Sequence, residues 1–329
     1  MTTATAARRR HAEMLDTFVR TPVLGPLAAL IVAFLAFAAI RPDTFLQTGN
    51  VSLILQQSVV VGVLALGQTL IILTAGIDLA VGAIAVFGTL VTARYVIDGG
   101  NPLVALLLGA LLCTALGGVN GLLVTKLRLP PFIVTLGTLA VIVAAGQLYA
   151  GSKSYPVTDR LLGWLGEGFQ LGDAFVTYGT FAMLALYVIV WYALSQTAWG
   201  RHVYAVGGNV EAARLTGIKV DRTLLSVYLV AGFIYALAAW EALGRIPNAD
   251  PNAYQNANLE SITAVVIGGT SLFGGRGGIA GTLIGTLIVG VLRNGLTLAG
   301  IDNLYQNVAT GILVILAVTV DQVTRRRQR

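Results

Sequence analysis

Residues 260–278 read ESITAVVIGGTSLFGGRGG, and this segment decides how many times the chain crosses a membrane. It places one carboxylate, six glycines and one arginine in a chain that is otherwise almost continuously apolar. Gly269 and Gly274 have the GxxxxG spacing of a phosphate-binding loop, but Gly275 and Arg276 stand where that motif needs Lys and Ser or Thr. A nucleotide site is therefore disfavoured, and the glycines need another explanation.

The composition indicates an integral membrane protein. Of 329 residues, 56% are hydrophobic and only 11% are charged, and the mean hydropathy is +0.80. A soluble domain carries about 25% charged residues, and apolar runs of about twenty residues are typical of membrane-spanning helices. We therefore predict an all-α polytopic membrane protein with a single integral domain. The net charge of +6 does not indicate nucleic-acid binding, because Lys and Arg of such proteins gather in cytoplasmic loops.

Breaks at Gly, Pro, Asn and Asp divide the chain into about ten predicted crossings. They lie near residues 24–40, 53–74, 79–97, 103–125, 131–150, 175–194, 223–243, 258–273, 279–299 and 303–320. The predicted organisation is then a basic cytoplasmic tail over residues 1–23, a single transmembrane domain over 24–320 with a polar cytoplasmic loop at 195–222, and a basic cytoplasmic tail over 321–329.

The distribution of basic residues predicts that segment 258–273 crosses. With ten crossings and a cytoplasmic N-terminus, fifteen of the 21 Lys and Arg residues lie inside, four lie outside and two lie within helices. Without this crossing, Arg325, Arg326 and Arg327 would lie outside, against the positive-inside rule. Both termini are therefore predicted to be cytoplasmic.

The glycines then fit a packing role. Gly277, Gly281 and Gly285 repeat every four residues, so we expect them on one face of the ninth helix, where small residues let helix backbones approach closely. Gly274 and Gly275 are expected in a tight cytoplasmic turn, where glycine adopts positive φ without steric cost. Ordinary packing and a hinge beside a gate both remain open for these glycines.

A few polar residues within the predicted crossings are candidates for a translocation path. Polar groups in the membrane usually face the bundle interior or a water-filled path, although each amide could instead make an interhelical hydrogen bond. The candidates are Gln57, Gln68, Asn120, Gln147 and Glu260. Asp78 is expected to cap the third crossing at its cytoplasmic start, and Arg293 is expected to reach the outer headgroups as an anchor.

No energy source for transport is visible in the chain. We expect no carboxylate pair at mid-depth and no histidine in a crossing, as an ion-coupled carrier would normally show, and no converging catalytic acids. The lone Cys113 and two isolated histidines supply neither a disulfide nor a metal site.

The loop 195–222 offers a site for an external partner. Asn209 is a good N-cap, Glu211 suits the first turn of a helix, and Gly217 suits its end. The short helix predicted between them carries Ala212, Ala213 and Arg214, a compact surface suited to a partner's groove. A helix lying flat on the membrane surface is the alternative.

Four motifs resemble a known family. The chain is similar, from about residue 50 to 320, to the ribose/xylose-type sugar permeases of bacterial ABC importers. The motifs are TAGIDLAVGA at 74–83, NG at 120–121 with LPPFIVTLGT at 129–138, GGNVEAARLTGI at 207–218 and AVVIGGTSLFGGRG at 264–277.

This resemblance implies a type II importer-like bundle in the bacterial inner membrane. It implies three protein partners: a cytoplasmic ATPase that binds ATP and magnesium, an extracytoplasmic sugar-binding protein, and a second permease copy, identical or closely homologous. No cofactor or metal is expected on this chain, and membrane lipid surrounds it. The helix from Glu211 to Gly217 would be the coupling helix, and the candidates for docking of the binding protein are Asp159, Arg160, Glu167, Arg245 and Asp250.

Three alternatives remain open from the sequence. The same architecture could carry another solute, such as a branched-chain amino acid, a nucleoside or a sugar-derived signal, since after Asp250-Pro251 the chain lacks the glycines and Tyr-Glu-Leu frequent in the family. The chain could also be a standalone secondary carrier or channel, or a purely structural membrane subunit.

Overall fold

The computed structural model describes residues 23–327. The predicted N-terminal tail 1–23 therefore lies almost wholly outside the described residues, as does the end of the predicted tail 321–329. The described chain is helical, with four short strands.

The elements are numbered in chain order. The helices are α1 Leu24–Ile40, α2 Pro42–Phe45, α3 Thr48–Leu73, α4 Val81–Ile97, α5 Pro102–Lys126, α6 Pro131–Ala150, α7 Arg160–Gly163, α8 Tyr178–Gln196, α9 Ala198–Gly208, α10 Val210–Leu215, α11 Val220–Arg245, α12 Ala257–Ile267, α13 Ile279–Leu298 and α14 Asn303–Arg327. The strands are β1 Tyr155–Pro156, β2 Gly168–Leu171, β3 Ala174–Thr177 and β4 Asn248–Ala249, and a 3₁₀ turn covers Trp164–Gly166.

Each of the ten predicted crossings falls on a helix. Among the described residues, seven helices are long and apolar enough to cross a membrane, namely α3, α5, α6, α8, α11, α13 and α14. Helices α1, α4 and α12 are shorter apolar helices. The prediction of a polytopic, helical membrane protein is confirmed in this general form.

Local sequence signals explain several helix ends. Asn101 caps α5 by accepting a hydrogen bond from the Leu103 N–H at 2.9 Å, and Pro102 occupies the first helical position, where its missing N–H costs nothing. Helix α6 likewise begins at Pro131, and after its last residue, Ala150, it is capped by Gly151, whose φ of 57° is the left-handed conformation of a glycine C-cap.

Helices α3 and α11 form the centre of the bundle. Every residue of α3 from Ser58 to Leu73 is buried, and α11 packs against both α3 and α5. The outward faces of α5, α6, α8 and α14 carry exposed large apolar side chains, as expected for surfaces in contact with lipid. Cys113 of α5 is fully buried, and its thiol donates to the Ile84 carbonyl oxygen at 3.4 Å.

The deciding segment is only partly helical. Helix α12 has 11 residues, a length of about 16 Å, which is roughly half the hydrocarbon thickness of a bilayer. Residues 268–278 continue as turns and irregular chain. The helical part of the predicted crossing 258–273 is therefore shorter than predicted, because Gly268 and Gly269 follow Ile267 and end the helix.

A second irregular segment, residues 74–80, is held by buried polar contacts. In the amide orientation that satisfies both groups, Gln68 donates to the Asp78 carbonyl oxygen at 3.1 Å and accepts from the Asp78 N–H at 3.3 Å. Inside a membrane, non-helical backbone is tolerated only where the protein or water satisfies its polar groups. Gln68 therefore stabilises the turn from α3 into α4.

Asp78 lies deeper than predicted. Its Oδ1 accepts from the Ala80 N–H at 2.8 Å, as a helix cap would. However, the residue is fully buried, and the hydroxyl of Tyr235, in the middle of α11, donates to its Oδ2 at 3.3 Å. Asp78 thus makes the hydrogen bond expected at the start of the third crossing, and it also holds a buried contact to α11 that the sequence did not predict.

The connections between helices gather at two opposite ends of the bundle. At one end, which we call the strand end, β1 pairs with β4, and the Ser52 hydroxyl donates to the carbonyl oxygen of Phe175 in β3. At the other, the α10 end, the Tyr204 hydroxyl donates to the Gly277 carbonyl oxygen at 3.0 Å and Ser271 donates to Asp321 at 3.1 Å. Helix α11 runs from the α10 end to the strand end.

Candidate functional site: a polar cleft and an exposed helix at opposite ends

A polar cleft opens at the strand end between α3, α12, α13 and α14. Its volume is about 400 Å³, within the usual range for small-molecule sites. Its polar lining consists of Gln57, Ser58, Arg245, Tyr254, Gln255, Asn256, Glu260, Thr286, Arg293, Thr297, Asn303 and Gln306. The cleft is therefore suited to a ligand that makes many hydrogen bonds.

An ion pair forms one wall of this cleft. Arg293 of α13 donates from Nη1 to Oε1 of Glu260 in α12 at 2.6 Å. The Glu260 side chain is 6% exposed and that of Arg293 is 46% exposed, so a buried carboxylate is neutralised by a guanidinium that reaches solvent. Arg293, which the sequence placed as a headgroup anchor slightly ahead of a pathway role, thus has a buried acid in the neighbouring helix as its partner.

The five residues predicted to line a translocation path lie in different places in the structure. Gln57 and Glu260 line the same cleft. Gln68 is fully buried against Asp78, and Asn120 is fully buried in α5 with neither amide atom hydrogen-bonded to any described residue. Gln147 donates to the side-chain oxygen of Asn252 at 2.8 Å and lines a different, mostly apolar groove between α4, α6 and residues 251–258.

The exposed helix α10 stands at the opposite end. Asn209 accepts from the Ala212 N–H at 3.0 Å as its N-cap, and Arg214 pairs with Glu211 at 3.2 Å on its surface. Gly217, with φ of 84°, follows the helix as predicted. Ala213 is buried against Val206 and Val220, whereas Leu215 is 89% exposed. The predicted local structure is confirmed.

The sequence reasoning missed α9, the helix that leads directly into α10. Residues 195–222 were treated as a polar loop, but Thr197 caps a helix over Ala198–Gly208 by accepting from the Gly200 N–H at 3.2 Å. The signal was present, because Val203 and Val206 lie three residues apart and are both buried.

A contact that we call the glycine junction joins α9 to the rest of the bundle. It consists of Gly207 and Gly275 around the carbonyl oxygen of Leu73, the last residue of α3, and of Gly274, which lies against Ala75 and the Gly207 carbonyl oxygen. The Gly275 N–H donates to that oxygen at 2.9 Å. A Cβ added to Gly207 would lie on the Leu73 carbonyl oxygen. Three backbones thus meet without side chains between them.

The other predicted glycines take two roles. An added Cβ on Gly281 would lie on the carbonyl oxygen of Gly268, and one on Gly285 on that of Ala264, so α12 and α13 pack backbone to backbone. The prediction that Gly277 shares this helix face with Gly281 and Gly285 was wrong. It lies before α13 with φ of 132°, because the helix begins two residues later.

The predicted docking residues lie at the strand end. Asp159 caps α7, Arg160 and Glu167 form an exposed pair at 3.4 Å, and the Asp250 side chain accepts from the Asn252 N–H at 2.8 Å. Arg245 lines the cleft. Over residues 23–327, no group of three His, Cys, Asp or Glu residues could hold a metal ion.

Comparison with known proteins gives a single family. Residues 50–318 match the family described as "Branched-chain amino acid transport system / permease component". The chain is 44% identical over 312 residues to the fructose import permease protein FrcC of Rhizobium meliloti, covering 93% of this chain and 87% of that protein.

Two further relatives match at similar coverage. The ribose import permease protein RbsC of Bacillus subtilis is 40% identical over 301 residues, covering 91% of this chain and 92% of that protein. The D-allose transport system permease protein AlsC of Escherichia coli is 35% identical over 298 residues, covering 90% of each. No solved structure matches the chain.

Proposed function

Because the chain belongs to the family of branched-chain amino acid transport system permease components, we propose that it is the membrane-spanning subunit of an ATP-driven monosaccharide importer. The observation that carries this proposal is the full-length similarity to permeases named for fructose, ribose and allose. The chain is a transport permease of the inner membrane, not an enzyme. Three relatives named for three sugars favour a monosaccharide over a branched-chain amino acid as the cargo.

The proposed topology has ten crossings with both termini in the cytoplasm. The excess of Lys and Arg on one side of the sequence map supports it, as does the gathering of alternate connections at opposite ends of the bundle. The strand end then faces the extracytoplasmic space and the α10 end the cytoplasm. In this arrangement α12 and the irregular residues 268–278 together make the eighth crossing.

The proposed partner at the cytoplasmic side is an ATPase that binds α10. Leu215 is exposed beside the Glu211–Arg214 pair, which gives a short helix with an apolar tip and a polar flank. Such a helix fits a groove by the helix-in-groove mode of recognition. ATP and magnesium would bind to this partner, and the permease would bind neither.

Force applied at α10 would reach the membrane through the glycine junction. Helix α9 ends in Gly207 and Gly208 immediately before the cap of α10, and Gly207 touches both Leu73 of α3 and Gly275. Direct backbone contact transmits displacement without the rotamer changes that side chains allow. A shift of α10 would therefore move the 268–278 segment, and with it α12 and α13.

Sugar would enter at the strand end. A sugar-binding protein would dock on the charged groups around Asp159, Arg160, Glu167, Arg245 and Asp250, and would release its cargo into the cleft that contains Gln57 and Glu260. A second permease copy, identical or closely related, would complete the complex, as the resemblance to ABC importer permeases implies.

Reconstitution in liposomes tests this function. The chain with its ATPase and binding protein should take up labelled D-fructose or D-ribose only when ATP is present, and an ATPase variant that cannot hydrolyse ATP should support none. The chain alone should take up neither sugar under a proton or sodium gradient. Gradient-driven uptake by the chain alone, or ATP-driven uptake of L-leucine but of no sugar, would contradict the proposal.

A further inference from the structure

The cleft at the strand end contains groups that no packing role explains. Gln57 lines it, and its side-chain amide has no hydrogen bond to any residue in the described range 23–327. The Tyr254 hydroxyl is buried on the cleft wall, with the Arg245 guanidinium as its neighbour but no close hydrogen bond to any described residue. A buried hydroxyl without a close hydrogen bond costs free energy, so a ligand that bonds to Tyr254, and to the half-buried amide of Gln57, would be stabilised here.

The ion pair is only half satisfied. Arg293 donates a hydrogen bond to Oε1 of Glu260, but no described residue donates one to Oε2. Glu260 is nearly buried, so Oε2 is an acceptor on the cleft wall with no protein donor. A carboxylate accepts about two hydrogen bonds on each oxygen, and a guanidinium has five N–H donors. Both partners therefore retain capacity after pairing.

We propose that this cleft is a polyol-binding site, in which adjacent hydroxyls of a monosaccharide bridge Glu260 and Arg293 while Gln57 and Tyr254 take further hydroxyls. This inference rests on the proposed function, because it identifies where in the permease the transported sugar is held. It concerns the permease itself, whereas the proposed function requires only that sugar passes.

The charge arrangement selects the chemical class. A hydroxyl donates to the carboxylate and accepts from the guanidinium at once, so a neutral polyol can bind without separating the pair. A zwitterionic amino acid would need a free anion for its ammonium group, but the one carboxylate of the described residues that lines the cleft, Glu260, is already paired with Arg293 at 2.6 Å, and Arg245 adds a second positive charge. Drawing the nearly buried Glu260 carboxylate away from Arg293 to bind such a ligand would cost free energy.

The backbone conformation and position of Tyr254 also fit a role at the boundary between two cavities. Its backbone φ is 53°, the left-handed region that a bulky residue rarely adopts, and the residue lines both the polar cleft and the apolar groove beside α6. Such strain is found at binding and switching sites. Tyr254 therefore separates the sugar site from the groove.

Protection of an introduced cysteine tests the site directly. Asn303→Cys lies on the cleft and Ser154→Cys lies on an exposed loop of the same end. The full chain, assembled with its ATPase in nanodiscs, is labelled with maleimide with and without millimolar D-fructose, D-ribose or L-leucine. We expect a sugar, but not leucine, to slow labelling at residue 303 and to leave residue 154 unchanged.

The ion pair is then neutralised in the same background. With Glu260→Gln and Arg293→Gln together, the sugar concentration needed for protection should rise about tenfold or more, as expected for loss of a hydrogen bond to a charged group. The matched control is Asp98→Asn with Arg94→Gln, which removes an ion pair of 3.7 Å at the same end but outside the cleft. This control should keep the original protection.

Two results would overturn the inference, and they differ from failure of the proposed function. Sugar could fail to protect residue 303, or could protect it equally after neutralisation of Glu260 and Arg293. Either result, together with intact ATP-driven sugar uptake, would leave a sugar importer without this site. Absence of ATP-driven sugar uptake in the unmodified importer would instead contradict the proposed function.

Discussion

The two ends of the bundle are built from opposite kinds of contact. At the α10 end, Gly207 and Gly275 bring backbones together with no side chain between them. At the strand end, the cleft is lined by amides, hydroxyls and one ion pair, several with unused hydrogen-bonding capacity. The first arrangement resists deformation and the second can accept a ligand. The α10 end is therefore suited to the transmission of movement, and the strand end is suited to ligand recognition.

The largest expected effect comes from adding a methyl group to the glycine junction. Gly207→Ala should lower the free energy of unfolding by about 1–3 kcal/mol, as overpacking typically does, and should abolish transport, because the new Cβ would lie on the Leu73 carbonyl oxygen. Thermal unfolding in detergent and ATP-driven uptake in liposomes measure the two effects.

The neighbouring glycine provides the matched control for this prediction. A Cβ on Gly208 would meet nothing within 4 Å, so Gly208→Ala should change the free energy of unfolding by less than about 0.5 kcal/mol. Equal behaviour of the two variants would show that the α10 end does not depend on close backbone contact.

A smaller structural effect with a large functional effect is expected on α10. Replacing Glu211 and Arg214 together with alanine should abolish ATP-driven transport and binding of the ATPase, but should barely change thermal stability, because the pair is solvent-exposed. Co-purification with the ATPase and uptake assays give the measurements. The exposed Lys126 of the same end, replaced by alanine, serves as the control, and unaffected transport in the double variant would contradict the coupling role.

Between the two ends, the buried contact at Asp78 should show an intermediate effect. Tyr235→Phe keeps the ring but removes the hydroxyl that donates to Asp78 at 3.3 Å. The free energy of unfolding should fall by about 1–3 kcal/mol, since a buried acceptor loses a partner. Tyr305→Phe, at a residue that is 70% exposed, should have no measurable effect on the unfolding temperature.

The smallest effect on stability is expected at the rim of the strand end. Arg160 and Glu167 form an exposed pair, so replacing both with alanine should alter the free energy of unfolding by less than about 1 kcal/mol. If the binding protein docks there, its association rate should fall and should lose part of its dependence on salt. Stopped-flow binding at two ionic strengths measures this, and an unchanged rate at both would exclude these two residues from docking.

The sequence predicted the helices better than it predicted the contacts among them. Apolar runs and caps such as Asn209 are local signals, so α10 and nine of the ten predicted crossings fall on helices, and the remaining one, 258–273, is helical up to Ile267. Pairing across helices is not local, and so Arg293 was assigned to the headgroups although its partner Glu260 stands 33 residues earlier. The depth of Asp78 was also missed, because an irregular segment that turns back inward has the same composition as a surface loop.

The burial of Cys113 has a practical consequence. Since the chain's one thiol is enclosed within the bundle, the native protein is close to a cysteine-free background for site-directed spectroscopy. Pairs of spin labels or fluorophores can be introduced at Leu215 and Asn303 without first replacing a buried residue. Distances between opposite ends of one unaltered bundle could then be followed through a transport cycle.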